Sequence, residues 1–284
     1  MELNLDLVIA TPDHTVDMKS GLTTMQGISD AVRIITETAI TNKVPSKNTS
    51  RNSVRTRLKE NFDGSYGQVF SVQAFDDAAR KQLNIIGKDT LAEIISYYLA
   101  EAFYQEFDKP SSLAQAIIDT LGNRSISLIK TLRKQTIVDN IHNVSNNFGY
   151  DVKVRYRKSK NKITELQTFN EDTYAKMAAV ESNKVIDLVV SITRFNTYTG
   201  NGRLQIKGKK DTIAFGFNGY TTVDLATKKL FSRNLDDNNG VFEDDEKSYL
   251  KLKVSFLQKK DGDIVKYLVR EAETVKYLVR EAHV

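Results

Sequence analysis

The stretch that decides the fold is Val185-Ile186-Asp187-Leu188-Val189-Val190-Ser191-Ile192-Thr193-Arg194-Phe195, followed after a polar turn by Arg203-Leu204-Gln205-Ile206-Lys207 and then by Thr212-Ile213-Ala214-Phe215-Gly216-Phe217. β-Branched and aromatic residues fill the runs, and Gly200, Gly202 and Gly208 punctuate them, which is the pattern of consecutive short strands. Downstream, the spacing predicts a helix near Val223–Arg233. Two further strands follow at Ser248–Leu257 and Ile264–Arg270, joined by the turn Lys260-Asp261-Gly262-Asp263.

Three strands, a helix and two strands form a small β-barrel with one inserted helix. By element order alone this resembles an OB-like barrel, and it also fits an SH3-like barrel with an inserted helix; no residue motif names a family. The carboxyl terminus holds a duplication: Val265-Lys266-Tyr267-Leu268-Val269-Arg270-Glu271-Ala272 recurs letter for letter as Val275 to Ala282. The first copy fits the last barrel strand. No turn separates the second copy from it, so a hairpin is excluded, and the expectation is a helical or frayed surface appendage.

Toward the amino terminus, Leu3, Leu5, Leu7 and Ile9 alternate with Asn4 and Asp6, the period of a half-buried strand. Thr11-Pro12-Asp13-His14 reads as a turn, with Val16 and Met18 on a short return strand. Met25, Ile28, Val32, Ile35 and Ala39 then fall at helical spacing. Arg55, Arg57 and Lys59 alternate with Val54, Thr56 and Leu58, and Asp63-Gly64 signals a hairpin into Tyr66–Val72. Apolar stripes from Phe75 to Asn147 predict a helical segment. The expected class is α+β, a small antiparallel sheet with helices followed by the barrel. Asn146-Asn147-Phe148-Gly149 is the expected punctuation, giving domains 1–149 and 150–284, with Asn183 as the latest position for the boundary. Asp151–Arg157 is the first strand beyond it, and a short helix covers about Asp172–Val180.

Composition excludes more than it suggests. The chain has 284 residues, no Cys, no Trp and only three His, His14, His142 and His283. Disulfides, thiolate metal sites and cysteine nucleophiles are therefore absent. The amino-terminal residues lack the basic-then-apolar pattern of a leader, and no run approaches a membrane span, so a cytoplasmic protein is expected. Phosphate-loop spacings fail: five residues separate Gly202 from Gly208, and Lys210 stands where Ser or Thr is required. The acidic run from Asp236 to Glu246 fits a calcium loop only with Leu235 in the first ligand position, so it reads as an acidic surface loop. His142 is expected at a helix end in a capping or partly exposed role. No catalytic residue, metal ligand or cofactor is assigned, and a non-enzyme is expected; a metal-assisted hydrolase using scattered carboxylates is the third reading.

Basic residues cluster. Arg55, Arg57 and Lys59 continue a stretch from Lys43 without an acid; Lys153, Arg155 and Arg157 form a second group; Arg203, Lys207, Lys209 and Lys210 form a third. Residues 1–150 carry a net charge of −1 and residues 151–284 a net charge of +6. A basic barrel predicts contact with nucleic acid through phosphate neutralisation. Phe195, Tyr198, Phe215 and Phe217 are candidate stacking surfaces, although Phe215 and Phe217, two residues apart, also suit the core. The competing account of the cations is a solvated strand face. The resulting expectation is a non-enzymatic cytosolic binding protein whose barrel contacts nucleic acid. The alternative is a protein–protein interaction, assembly or inhibitor module of bacterial or phage origin without nucleic-acid binding, either with a protein partner or as a homo-oligomer.

Overall fold

The computed structural model describes residues 2–46, 49, 52–62, 66–107, 109–159, 161–244 and 246–275, with the backbone alone for 60–62. The chain divides into two compact units, Met1–Met177 and Ala178–Val284.

The first unit is a five-stranded antiparallel sheet with helices packed on one face. Its strands are β1 (Glu2–Ile9), β2 (Val54–Phe62), β3 (Tyr66–Ala74), β4 (Val152–Arg157) and β5 (Ile163–Phe169), in the order β2-β3-β1-β4-β5. Leu3, Leu5, Leu7 and Ile9 are buried on the helix side, as their alternation dictates. Helix α1 (Met18–Thr41) buries Ile28, Val32 and Ile35 against them. Helices α2 (Asp77–Ile86), α3 (Lys88–Ala102), α4 (Ser112–Leu121), α5 (Arg124–Leu132), α6 (Gln135–Ile141), α7 (Asn143–Phe148) and α8 (Glu171–Met177) complete the layer.

The structure departs from the local sequence pattern in three places. No return strand follows the first turn, because the Asp17 carboxylate accepts the Ser20 N–H at 2.8 Å and caps α1, so that Met18 opens a helix. The boundary between the compact units falls after Met177, later than residue 149 and inside the span that ends at Asn183. Gly149 sits at φ 71°, in the left-handed region, and ends α7; the chain then returns to pair β4 with β1, Leu7 opposite Val154. Residues 150–177 thus belong to the first unit. Third, strand β5, which the sequence reading passed over, pairs with β4 and closes that edge of the sheet.

The second unit holds β6 (Val180–Glu181), β7 (Ile186–Phe195), β8 (Gly202–Ile206), β9 (Thr212–Phe217), a 3-10 turn (Tyr220–Thr222), α9 (Leu225–Asp237), β10 (Leu250–Gln258) and β11 (Ile264–Thr274). Strand β7 pairs with β8 and β10, β8 with β9, β9 with β11 in parallel, and β11 with β10. The ring β7-β8-β9-β11-β10 therefore closes, a five-stranded barrel with its helix between the third and fourth strands. Phe231 of α9 is fully buried with Phe215, Leu204 and Val190. The first octapeptide copy lies within β11; apart from Val275, the second copy lies outside the described residues, as does the Asp63-Gly64 turn between the paired strands β2 and β3.

Candidate nucleic-acid interface

Strand β8 sets up the barrel's basic surface by simple alternation. Leu204 is fully buried, so Arg203 and Gln205 face outward. Arg203 is opposite Ala214 and Gln205 opposite Thr212 on β9. The outward positions of β9 are small (Thr212, Ala214 and Gly216). The Lys266 stem lies across Gly216, where a Cβ would come within 2.7 Å of its Nζ. Lys266 is buried, and its ammonium donates to Asn201 Oδ1 at 2.7 Å.

The long side chains are held in place. Arg203 donates from Nε to Thr212 Oγ1 and from Nη2 to Thr212 O, both at 2.7 Å. The Lys207 ammonium lies 4.9 Å from the centre of the Tyr249 ring. Lys209 and Lys210, on the turn from β8 to β9, are exposed, and no carboxylate among the described residues pairs with them.

An acidic segment adjoins this hairpin. The Lys247 ammonium donates to Gln205 Oε1 at 3.0 Å and to Asp244 Oδ1 at 2.9 Å. Tyr249 OH donates to the Asp244 carbonyl at 2.9 Å. Lys247, helped by the Gly208 N–H, holds the Asp244 carboxyl below the ordinary carboxylate range. Among the described residues, no group of three or more His, Asp or Glu is placed to hold a metal ion.

The other six candidate cations share a different surface, the face of the first sheet opposite its helices. Arg155 and Arg157 both bind the buried Asp6, with Arg155 Nε 2.7 Å from Oδ1 and Arg157 Nη1 3.2 Å from Oδ2. Lys153 pairs with Glu165 at 3.3 Å, and Lys59 pairs with Glu2. Arg55 and Arg57 lie 4.2 and 5.1 Å from the centre of the Phe75 ring. The ten residues thus divide into a group of six on one unit and a group of four on the other.

The new boundary also redistributes the charge. Residues 151–177 hold seven basic and four acidic side chains, so residues 178–284 carry +3, not the +6 of the longer segment. Three of the four aromatic candidates are core. Phe215 is fully buried, and Phe195 and Phe217 pack on Phe231 at 5.7 and 5.0 Å. Tyr198, 40% exposed on the loop between β7 and β8, is the one presented to solvent.

The sequence pattern marks Lys266 only as part of the duplicated octapeptide and Asp244 only as part of an acidic surface loop, and it does not mark Asn201 or Lys247 at all. Only the parallel pairing of β9 with β11, and the return of the acidic segment beside β8, bring them to the hairpin. Lys266 had a local signal, being the charged residue in an otherwise apolar strand run.

Compared with protein-family models, curated proteins and solved structures, the chain matches none.

Proposed function

We propose that the chain is a non-enzymatic, cytoplasmic binding protein whose barrel holds single-stranded nucleic acid along β8 and β9. One observation carries the reading: Arg203, laid against Thr212, and the exposed Lys207, Lys209 and Lys210 gather on the outward side of this strand pair, where Ala214 is the small residue left between Arg203 and the Lys266 stem over Gly216. A phosphodiester backbone can approach a small residue closely, and the cations beside it gain by displacing its counterions. In barrels of this architecture the second and third strands form the ligand face. Tyr198, the exposed ring on the loop between β7 and β8, offers one stacking surface at most, so the contact is mainly electrostatic and weakly sequence-selective.

Anisotropy of a labelled oligodeoxythymidylate, titrated with the full chain at several salt concentrations, tests this. Binding at low salt should weaken steadily as salt rises. The double variant Lys209→Glu, Lys210→Glu should lower the slope of log K against log salt by about 1.4, the loss of two phosphate contacts on a single strand. Absence of binding at low salt, or binding indifferent to salt, overturns the proposal. Both positions are exposed turn residues, so the variant leaves the barrel core intact.

A further inference from the structure

The outer edge of β2 has a capacity that the barrel reading leaves unused. Among the described residues, β2 pairs with β3 alone, at the end of its sheet. Two bonds fix the direction of its backbone groups. The Phe75 N–H donates to the Ser53 carbonyl at 2.8 Å, continuing the register of Arg55 with Gln73 and Arg57 with Ser71. The Val54 N–H turns away from β3 and donates to Glu37 Oε2 at 2.8 Å. Successive residues of a strand direct their backbone groups to opposite sides. Thr56 and Leu58, in phase with Val54, therefore direct N–H and C=O outward, where another strand can pair with them. Glu37 already occupies the first such position with a carboxylate.

The two faces flanking this edge differ in chemistry. On the helix side, a cavity of about 250 Å³ is lined by Thr56, Leu58, Phe70, Leu22, Met25 and Gln68. Leu58 and Leu22 line it while 65% and 53% exposed. On the other side stand Arg55, Arg57 and Lys59. A strand laid along β2 would thus present alternate residues to an apolar cavity and to a row of cations.

The geometry points to β2 as the docking edge for an extended acidic peptide segment of a partner protein, added as a sixth strand, with alternate apolar side chains entering the cavity and the intervening carboxylates meeting Arg55 and Arg57. Main-chain bonds to Thr56 and Leu58 supply affinity, and the cavity and cations supply selectivity. A second copy of this chain is the poorer occupant, because antiparallel pairing of β2 with β2 sets the two basic rows against each other on one face.

The test is a labelled heptapeptide of alternating glutamate and leucine, titrated with the full chain and read by anisotropy. Saturable binding is expected, at least ~10-fold tighter than for the peptide with lysine in place of glutamate. Methylating the peptide backbone at every second nitrogen should abolish binding in one phase and spare it in the other. Leu58→Pro removes an outward N–H without taking a bond from β3, and should weaken binding at least ~10-fold. The Lys209→Glu, Lys210→Glu variant should bind the peptide as the parent does, which separates this edge from the barrel's cations. Absent binding, equal affinity for the two peptides, or no effect of methylation in either phase overturns the proposal, whatever the barrel does with nucleic acid.

Discussion

Asp6 receives Arg155 side-on, with Nε 2.7 Å from Oδ1 and Nη2 3.1 Å from Oδ2, at the centre of the first sheet. The carboxylate is fully buried and also takes Arg157 at 3.2 Å, so one acid on β1 fixes two of the cations on β4. The pairing register places Asp6 directly opposite Arg155. Bidentate arginine–carboxylate contacts of this kind are strong, and removing one partner leaves a partly buried charge uncompensated. Asp6→Asn should therefore destabilise the first unit by about 3 kcal/mol, measured by denaturant unfolding. Removing Arg155 as well should recover part of that loss, so the double-mutant cycle reports a coupling of opposite sign to the single effects.

His142 makes stability depend on pH. It is fully buried, donating from Nδ1 to the Val138 carbonyl at 2.8 Å, with Nε2 2.7 Å from the Thr173 hydroxyl oxygen. The neutral ring satisfies both contacts when the single Thr173 hydroxyl proton turns to Nε2 rather than to the Asn170 carbonyl, 2.8 Å away. Burial lowers its pKa from 6.5 to about 4. The unfolded chain binds the proton first as pH falls, so this contribution is complete above pH 6.5, declines between pH 6.5 and 4, and is gone below. By pH 5 the loss is about 2 kcal/mol. His142→Gln should be less stable at pH 7.5, and its stability should change less between pH 7 and 5. A parallel pH dependence in parent and variant would show that His142 is not the source.

The sequence reading of His142 as a capping or partly exposed residue shows where local pattern stops. Its position at a helix end was legible; the Thr173 hydroxyl that buries and bonds it comes from 31 residues away. The barrel was legible because each strand carries its own alternation and turn, as in Leu204 between Arg203 and Gln205. The first sheet was only partly so. Val152, Val154 and Tyr156 announced a strand, but nothing local announced that their partner was β1, and the boundary therefore fell 28 residues early. The same cause split the ten basic candidates. Residue type and spacing identified them as cations, whereas the acids that neutralise Lys59, Arg155 and Arg157 lie on β1, more than fifty residues distant in sequence.

Gly27 should resist even the smallest side chain. It lies where α1 crosses α6, and a Cβ there would come within 2.5 Å of the Ile141 nitrogen and 2.9 Å of the Asn140 carbonyl carbon. Both are backbone atoms of a helix and cannot rotate aside. In an exposed helix, Gly→Ala would gain about 1 kcal/mol. Here the helices must separate, and Gly27→Ala should lower stability by about 2 kcal/mol, within the range of overpacked cores. Gly21→Ala in the same helix is the control. Its Cβ would meet only the Val16 side chain, at 3.0 Å, which can move. Thermal unfolding that ranks Gly27→Ala equal to or above Gly21→Ala would contradict the close crossing.

Asn234 ties α9 into the barrel wall, and its loss should open one identifiable backbone bond. Pairing of β7 with β10 runs from Ile186 to Val190, so the Ile192 N–H lies beyond the end of that ladder. The Asn234 side chain replaces the missing strand: Oδ1 accepts from Ile192 N–H at 2.8 Å, and Nδ2 donates to the Ser248 carbonyl at 3.0 Å. Asn238, one turn along, also donates to the Ser248 carbonyl, at 3.0 Å, and accepts from the Ser248 N–H at 2.8 Å. Ser248 therefore retains partners when Asn234 is truncated, and Ile192 does not. A buried donor left without an acceptor costs about 2 kcal/mol. Asn234→Ala should show that loss in denaturant unfolding, together with accelerated amide exchange at Ile192 and little change at Ser248. Unchanged protection of Ile192 would mean that the amide finds another acceptor, and that the packing of Phe231, Leu230 and Leu235 suffices to hold α9 on the barrel.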